Sequence, residues 1–208
     1  QNVSYDFQEY WYGRAFKINP KSNPERYFNN MVLALTYNQK VFGQMPAAVL
    51  DPTSYFSNEK NWIGMIGFSK QKFYQDKFVF NYNITEDIPY GENIALIVGH
   101  QEKNSNSRLY TGLSVSFGRK YSFGYASGFA EWGSFYDAGF TEQTTFKMGF
   151  NYFSPLVSWG NWRFRQFVKP TYVWGNNRDD SFKDRLNLLD EDGLPGFNNR
   201  LNGTQKWT

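Results

Sequence analysis

Alternation of apolar and polar residues with a period of two is the feature that most restricts how this chain can fold. Residues 77–85, 109–118 and 145–152 each place apolar side chains at every second position and small or polar ones between them. Successive side chains of a β-strand point to opposite faces, whereas an amphipathic helix repeats every 3.6 residues. Weaker alternation marks further strands at 7–17, 28–39, 60–70, 92–102, 121–132 and 162–175, with another starting after 203. The sequence therefore predicts an all-β chain of about 9–11 antiparallel strands.

The connections between these strands differ in length. The segments "GRKYS" (118–122) and "SPLVSWGN" (154–161) have the composition of short turns. The segment 174–193 is a long polar stretch, and we expect an extended loop over residues 176–200.

Three features favour a transmembrane β-barrel over a soluble sandwich. The strands often reach nine to twelve residues, which suits a tilted strand crossing a bilayer of about 30 Å. The face opposite the apolar one holds Gly, Ser, Asn, Lys and Arg, which fill a wet lumen better than a dry core. Aromatic residues make up 21% of the chain and many lie near strand ends, as in an interfacial girdle. These girdle candidates are Trp62, Tyr74, Tyr90, Tyr121, Trp132, Trp159, Trp162 and Trp174.

Three cations in segment 162–174 share the side of the strand opposite its aromatic residues. They are Arg163, Arg165 and Lys169. A cation facing lipid near mid-membrane would cost roughly 2–4 kcal/mol, so we expect these side chains in the lumen. They either solvate an aqueous interior or hold a loop within it.

Several other classes of protein are disfavoured. A mean hydropathy of −0.65 and the lack of any apolar run of about 18 residues exclude helical membrane spans. The absence of cysteine excludes disulfide frameworks and thiolate metal sites, and a net charge of +3 is too small to indicate nucleic-acid binding. His100 is the single histidine, and Ser105 and Ser107 are predicted to lie in a loop without a nucleophile motif. We therefore expect no catalytic or metal site, no cofactor and no enzymatic activity.

The segment "GLPGFNNRLNGTQ" (193–205) resembles the sixth extracellular loop of the BamA/TamA-type outer-membrane assembly and translocation superfamily. In that superfamily the loop folds into the lumen and carries an apolar–Arg–Gly–aromatic signature at its tip. The matching positions here are Leu194, Pro195, Gly196 and Phe197. "LNGTQKW" (201–207) resembles the start of the twelfth strand, and "QEYWYGR" (8–14) and "TEDIPYG" (85–91) are also similar to stretches of such barrels.

Pro195 departs from the superfamily signature, which has Arg at this position. The resemblance implies an ion pair between that Arg and a later strand, which Pro195 cannot make, so either Arg200 substitutes or the loop docks more weakly. An ordinary Pro-Gly turn is the plainer interpretation of "GLPGF". The resemblance further implies that residues 1–208 form part of a single barrel domain, a fragment of a 16-strand barrel from about its third strand to the start of its twelfth.

By this resemblance the chain is an outer-membrane barrel of the protein-insertion or translocation type, in the bacterial outer membrane of a Gram-negative organism. Its partners would be outer-membrane lipids, polypeptide clients and accessory periplasmic or surface lipoproteins, with no nucleic acid. Leu194, Gly196 and Phe197 would act at the loop tip, with Arg163, Arg165 and Lys169 as cations that hold it. The alternatives are a passive solute channel whose lumen favours anions, and a soluble ligand-binding barrel.

Overall fold

The computed structural model describes residues 3–18, 29–51, 54–103, 106–177 and 205–207, and these residues are almost all in β-strands. One 3-10 turn, Ala48–Leu50, interrupts them. The prediction of an all-β, antiparallel chain is confirmed. The strands are β1 (Ser4–Lys17), β2 (Asn30–Gln44), β3 (Glu59–Lys77), β4 (Thr85–Lys103), β5 (Asn106–Tyr121), β6 (Gly124–Asp137), β7 (Phe140–Phe153), β8 (Val157–Trp159), β9 (Trp162–Phe164), β10 (Phe167–Val168), β11 (Thr171–Asn176) and β12 (Gln205–Trp207).

Each of the strands β1 to β6 pairs with the next one along the chain, so that β1 to β7 make an antiparallel meander. β7 then pairs with β11, and β11 with β12, while the short β10 extends the edge of β7 near Phe153. Strands β8 and β9 form a separate hairpin between β7 and β10. Within the described ranges the sheet does not close on itself, because β1 pairs only with β2 and β12 only with β11.

The register of the sheet separates its two faces sharply. One row of directly opposed residues is apolar in each of the strands β2 to β7 and in β11, and the next row along contains mostly small and charged residues. We call the two sides the apolar face and the polar face. The apolar row is Leu33, Ile66, Leu96, Leu113, Trp132, Phe146 and Trp174; the polar row is Val32, Gly67, Ala95, Ser114, Glu131, Lys147, Val173 and, in β12, Lys206.

Aromatic rings on the sheet lie flat over glycines of the same or a neighbouring strand. The Tyr110 ring covers Gly133, and the Phe129 ring covers Gly149, so closely that a Cβ atom at either glycine would collide with the ring. A glycine leaves a hole in the pleated surface, and a cross-strand ring fills it while shielding the backbone hydrogen bonds beneath. Glycine and aromatic residues are therefore used in pairs, which explains why the chain is rich in both.

The strand predicted at 77–85 is wrong, because residues 78–84 form the turn between β3 and β4. The Glu86 carboxylate accepts hydrogen bonds from the backbone N–H groups of Val79 and Phe80 and from the Asn81 side chain, at 2.8–3.1 Å. These hydrogen bonds hold the pKa of Glu86 below its ordinary value, and the bond from the Phe80 N–H has the largest effect. Asn83 adopts a φ of 55°, which asparagine tolerates in turns. The alternating apolar and polar residues of this segment therefore form a turn whose backbone N–H groups are capped by the Glu86 carboxylate.

The single strand predicted at 162–175 is also wrong, since this segment is divided among β9, β10 and β11. Pro170 lacks an N–H group and stands between β10 and β11, where its carbonyl accepts a bond from the Phe150 N–H. Ser154 closes the base of the β8–β9 hairpin, because its N–H bonds the Gln166 carbonyl and its hydroxyl accepts the Gln166 N–H. The turn predicted at 154–161 therefore contains β8.

The turn predicted at 118–122 is wrong in position, because β5 continues to Tyr121 and the chain reverses at Ser122 and Phe123. Tyr74 and Tyr90 pack against the main buried cluster of the described residues, at the end of the sheet that carries this turn. The members of that cluster are Val79, Ile88, Tyr125 and Phe153.

The two-residue turn between β6 and β7 offers a matched test of the backbone. Ala138 and Gly139 have φ values of 46° and 86°, and a left-handed conformation costs a non-glycine residue about 1 kcal/mol. We expect Ala138→Gly to raise the free energy of unfolding by about 1 kcal/mol and Gly139→Ala to lower it by a similar amount. Urea unfolding measures both changes in the free energy of unfolding, and a stabilising Gly139→Ala would contradict the turn geometry.

Candidate functional site

A row of charged residues crosses the polar face at mid-height. Glu131 lies directly opposite Lys147 on the neighbouring strand, and Lys206 follows two strands further on. Lys147 also stands over the Phe129 ring, with Nζ 5.7 Å from its centre, and Lys206 is buried. The row borders a groove of about 660 Å³ whose walls include Tyr110, Phe135 and Gln143. This part of the polar face therefore offers charge of both signs together with aromatic surface.

Arg108 ties three strands together on the same face. Its guanidinium donates to Gln101 of β4 at 2.7 Å and to Glu142 and Gln143 of β7 at 2.9 and 3.3 Å, and it lies 4.2 Å from the Phe135 ring. Adjacent residues of a regular strand point to opposite faces, so Glu142 and Gln143 could not normally bond the same cation. They do so because the β6–β7 ladder shifts register between Ser134 and Tyr136, a bulge that re-aims side chains.

At the end of the sheet that carries the β8–β9 hairpin, Arg165 is anchored by an ion pair. Its Nη2 atom lies 3.3 and 3.2 Å from the two Asp76 carboxylate oxygens, and the guanidinium is 5.1 Å from the Phe153 ring. The Arg165 side chain is only 5% exposed, and its Nε and Nη1 atoms have no hydrogen-bond partner among the described residues. The ion pair fixes the segment after β9 to the end of β3. Burial, followed by the Asp76 charge, raises the pKa of nearby Tyr74 to about 12.

The three cations predicted for the lumen do not lie on one strand. Arg163 belongs to β9 and stacks on Phe78 of the β3–β4 turn, with 4.9 Å between guanidinium and ring centre. Arg165 follows β9 and is paired with Asp76, while Lys169 is exposed between β10 and β11. The structure thus brings Arg163 and Arg165 together with the β3–β4 hairpin. Their role toward a lumenal loop stays a prediction.

The loop-tip residues lie outside the described part of the chain. They are Leu194, Pro195, Gly196, Phe197 and Arg200, and the same holds for most of the loop predicted at 176–200. The strand expected after 203 is confirmed at Gln205–Trp207, which pairs with β11. The docking of the loop into a lumen stays a prediction.

The residues of the charged row and Arg108 were not singled out from the sequence. The alternation within 145–152 places Lys147 on the polar side of its strand, but nothing local to that segment shows that Glu131 stands opposite it. A signal was present in the period-two pattern, since both charges fall at polar positions in the middle of long strands. A charge at such a position is informative because strand ends are the usual place for solvated charges.

Ser107 lies in β5 and not in a loop as predicted, and its hydroxyl is 3.2 Å from the His100 Nε2 atom. Glu102 approaches the same Nε2 atom at 3.7 Å. A nucleophilic serine needs the carboxylate on the other ring nitrogen, where it orients the imidazole. The three side chains are exposed at the edge of the apolar face and lack that arrangement.

Comparison of the chain with family models, with curated proteins and with solved structures gave no match in any of the three. Over the described ranges no helix has the length and apolar character needed to cross a membrane. Nor do those ranges contain a group of three or more His, Asp or Glu side chains placed to hold a metal ion.

The contribution of the Arg165–Asp76 ion pair to stability can be tested by replacing its partners, of which Arg165 is the more deeply buried. Removing one partner of a buried ion pair leaves an uncompensated charge, so we expect Asp76→Asn to lower the free energy of unfolding by roughly 2–3 kcal/mol, less than for a pair buried on both sides. The double variant Asp76→Asn/Arg165→Met should recover most of that loss. Urea unfolding of Asp76→Asn, of Arg165→Met and of the double variant gives the coupling free energy, and additive losses would show that the contact does not anchor the hairpin.

Proposed function

We propose that the sheet is part of a transmembrane β-barrel in a bacterial outer membrane, with the apolar face toward lipid and the polar face toward an aqueous lumen. The observation that carries this proposal is a band on the apolar face that holds no Asp, Glu, Lys or Arg. Lys60 lies directly opposite Glu102, and ten residues along the same strands Lys70 lies opposite Glu92. The apolar-face positions between these two rims hold none of these four residue types. In β3 they are Trp62, Gly64, Ile66 and Phe68; in β4 they are Ile94, Leu96, Val98 and His100.

The height of the band matches a bilayer. Ten residues of antiparallel strand extend about 34 Å, and a tilt of about 40° reduces this to about 26 Å along the membrane normal. Outer-membrane barrels carry an apolar band about 25 Å tall with aromatic girdles at its edges. Trp62, next to the Lys60 rim, packs against Tyr37 with 4.2 Å between ring centres, and Tyr37 stacks on Tyr10 at 6.4 Å, so three strands contribute to one aromatic row.

The charges of the second rim indicate that the strands are tilted. Arg14 of β1 stands in the row of Ile66, whereas Lys70 of β3 lies four residues further along. Arg119 of β5 lies one residue beyond the Gly118–Gly91 pair, further along again in the same direction. In a barrel with tilted strands, the membrane boundary meets each successive strand at a different hydrogen-bonded row. The charges of this rim shift from row to row in the same way. Charge at mid-band occurs on the polar face, at Glu131 and Lys147.

Two neighbouring residues of β4 give a matched test of which face meets lipid. Leu96 lies on the apolar face and Ile97 on the polar face. We expect Leu96→Arg to weaken folding into lipid vesicles by roughly 2–4 kcal/mol, and Ile97→Arg to have a much smaller effect because its cation enters the lumen. Equilibrium unfolding from vesicles measures both, and equal penalties would refute the assignment of the faces.

Within the membrane assignment, we propose that the barrel inserts or translocates polypeptide without covalent chemistry. The resemblance of 193–205 to the sixth loop of the assembly and translocation superfamily supports this. The polar face is in keeping with this, because it carries amide side chains, which can both donate and accept hydrogen bonds. Asn61 and Asn38 bond each other at 2.7 Å on this face, and Gln101 and Gln143 flank Arg108.

A passive solute channel is the second candidate, and the charged row favours it because two cations, Lys147 and Lys206, stand near one carboxylate, Glu131. Vesicles containing the full protein separate the two functions. Insertion activity predicts that a urea-unfolded outer-membrane protein folds several-fold faster than in protein-free vesicles, with little ion conductance. A channel predicts steady conductance with anion preference and no acceleration.

Variants of the charged row test the channel in the same vesicle experiment. In a channel, Lys147→Glu/Lys206→Glu should reverse the anion preference measured from the reversal potential in a KCl gradient, because the row then carries three negative charges. Lys60→Glu, on the apolar-face rim, is the matched control and should leave the preference unchanged. Accelerated client folding without conductance would reject the channel.

A further inference from the structure

We propose that a cationic groove at the second rim binds the phosphate group of an anionic phospholipid whose acyl chains lie on the apolar face. This inference rests on the membrane orientation proposed above. The groove has a volume of about 400 Å³ and lies across strands β3, β4 and β5. Its charged lining is Lys70 and Lys72 from β3, Arg119 and Lys120 from β5, and Glu92 from β4.

Two glycines open the groove between these strands. Gly91 of β4 lies directly opposite Gly118 of β5, so neither strand places a side chain at this point. Gly91 has a φ of 146°, and a Cβ atom there would collide with the Lys70 carbonyl oxygen, so the position admits glycine alone. The opening is therefore built into the backbone and does not depend on a side-chain rotamer.

The charge of the groove fits an anion. Four cations line it against one carboxylate, and that carboxylate, Glu92, lies 3.3 Å from the Arg119 guanidinium. Lys120 is placed by the ring of Tyr74, with its Nζ atom 4.4 Å from the ring centre. Guanidinium groups bind phosphate oxygens through paired N–H donors, and lysines add point charges. The lining of the groove therefore contains more cationic than anionic side chains.

The surroundings of the groove select a lipid over a free phosphate. Phe117 lies two residues from Arg119 along β5, and Ile94 lies two residues from Glu92 along β4. Both side chains are exposed on the apolar face. Tyr74 and Tyr90 also line the groove and add aromatic surface to it. A ligand that fills both parts has an anionic head and an apolar chain. This is the chemistry of a phospholipid such as phosphatidylglycerol.

Competitive lipid retention tests the proposal. The full protein is equilibrated in mixed micelles with equal amounts of phosphatidylglycerol and phosphatidylcholine, and the retained lipids are counted by native mass spectrometry. We expect the wild type to prefer phosphatidylglycerol, and Arg119→Gln/Lys120→Gln to reduce this preference by roughly tenfold. Lys60→Gln/Lys103→Gln removes two cations from the opposite end of the same sheet and should leave the preference nearly unchanged.

Each alternative result has a definite meaning. An unchanged preference in Arg119→Gln/Lys120→Gln, or an equal loss in Lys60→Gln/Lys103→Gln, overturns the site. Full displacement of phosphatidylglycerol by millimolar inorganic phosphate shows a phosphate site without a lipid and overturns the phospholipid assignment. Folding into vesicles is measured on the same variants. Normal folding with unchanged lipid preference rejects this inference alone, whereas failure of the wild type to enter vesicles rejects the membrane proposal as well.

Discussion

The confinement of mid-sheet charge to one face is the constraint on which the rest of the structure depends. A strand exposes alternate side chains to alternate sides, so a shift of one residue in the pairing of β6 or β7 would move Glu131 or Lys147 onto the apolar face. The same shift in any of the strands β2 to β5 would turn its apolar row to the polar face, so the register must be fixed along every ladder from β2 to β7. Two-residue turns fix it at Ser122–Phe123 and at Ala138–Gly139, and rings packed over Gly133 and Gly149 reinforce it across strands.

The register shift between β6 and β7 positions side chains on the polar face. The bulge between β6 and β7 is tied by the Ser134 hydroxyl, which donates to the Gln143 carbonyl and lies 2.8 Å from the Thr144 hydroxyl. Both hydroxyls are buried, so these contacts satisfy groups that would otherwise be costly to place there. The bulge in turn allows Glu142 and Gln143 to reach Arg108 together. A local defect in pairing thus holds one cation in place across three strands.

The sequence was sufficient to predict the strands whose alternation continues between two turns, such as β5 and β7, and insufficient where a turn happens to alternate. Residues 78–84 have the pattern of a strand, but the Glu86 carboxylate caps their backbone N–H groups and holds them in a turn. Segment 162–175 alternates as well, yet Pro170 interrupts its ladder. The pairing of Glu131 with Lys147 depends on register between strands, which no single segment contains. The resemblance at 193–205 concerns residues whose placement the structure does not describe.

The buried pair of Arg165 and Asp76 relates the two unusual segments to each other. The β3–β4 hairpin extends past the rim at Lys70, and the chain after β7 leaves the sheet to form β8 and β9 before returning. Arg165 and Arg163 hold these two extensions together, through Asp76 and Phe78. Such a contact joins strands that are not neighbours in the sheet, and it fixes where β10 and β11 rejoin β7. The position of β11, and with it the placement of Lys206 beside the charged row, therefore depends on a contact made outside the proposed membrane band.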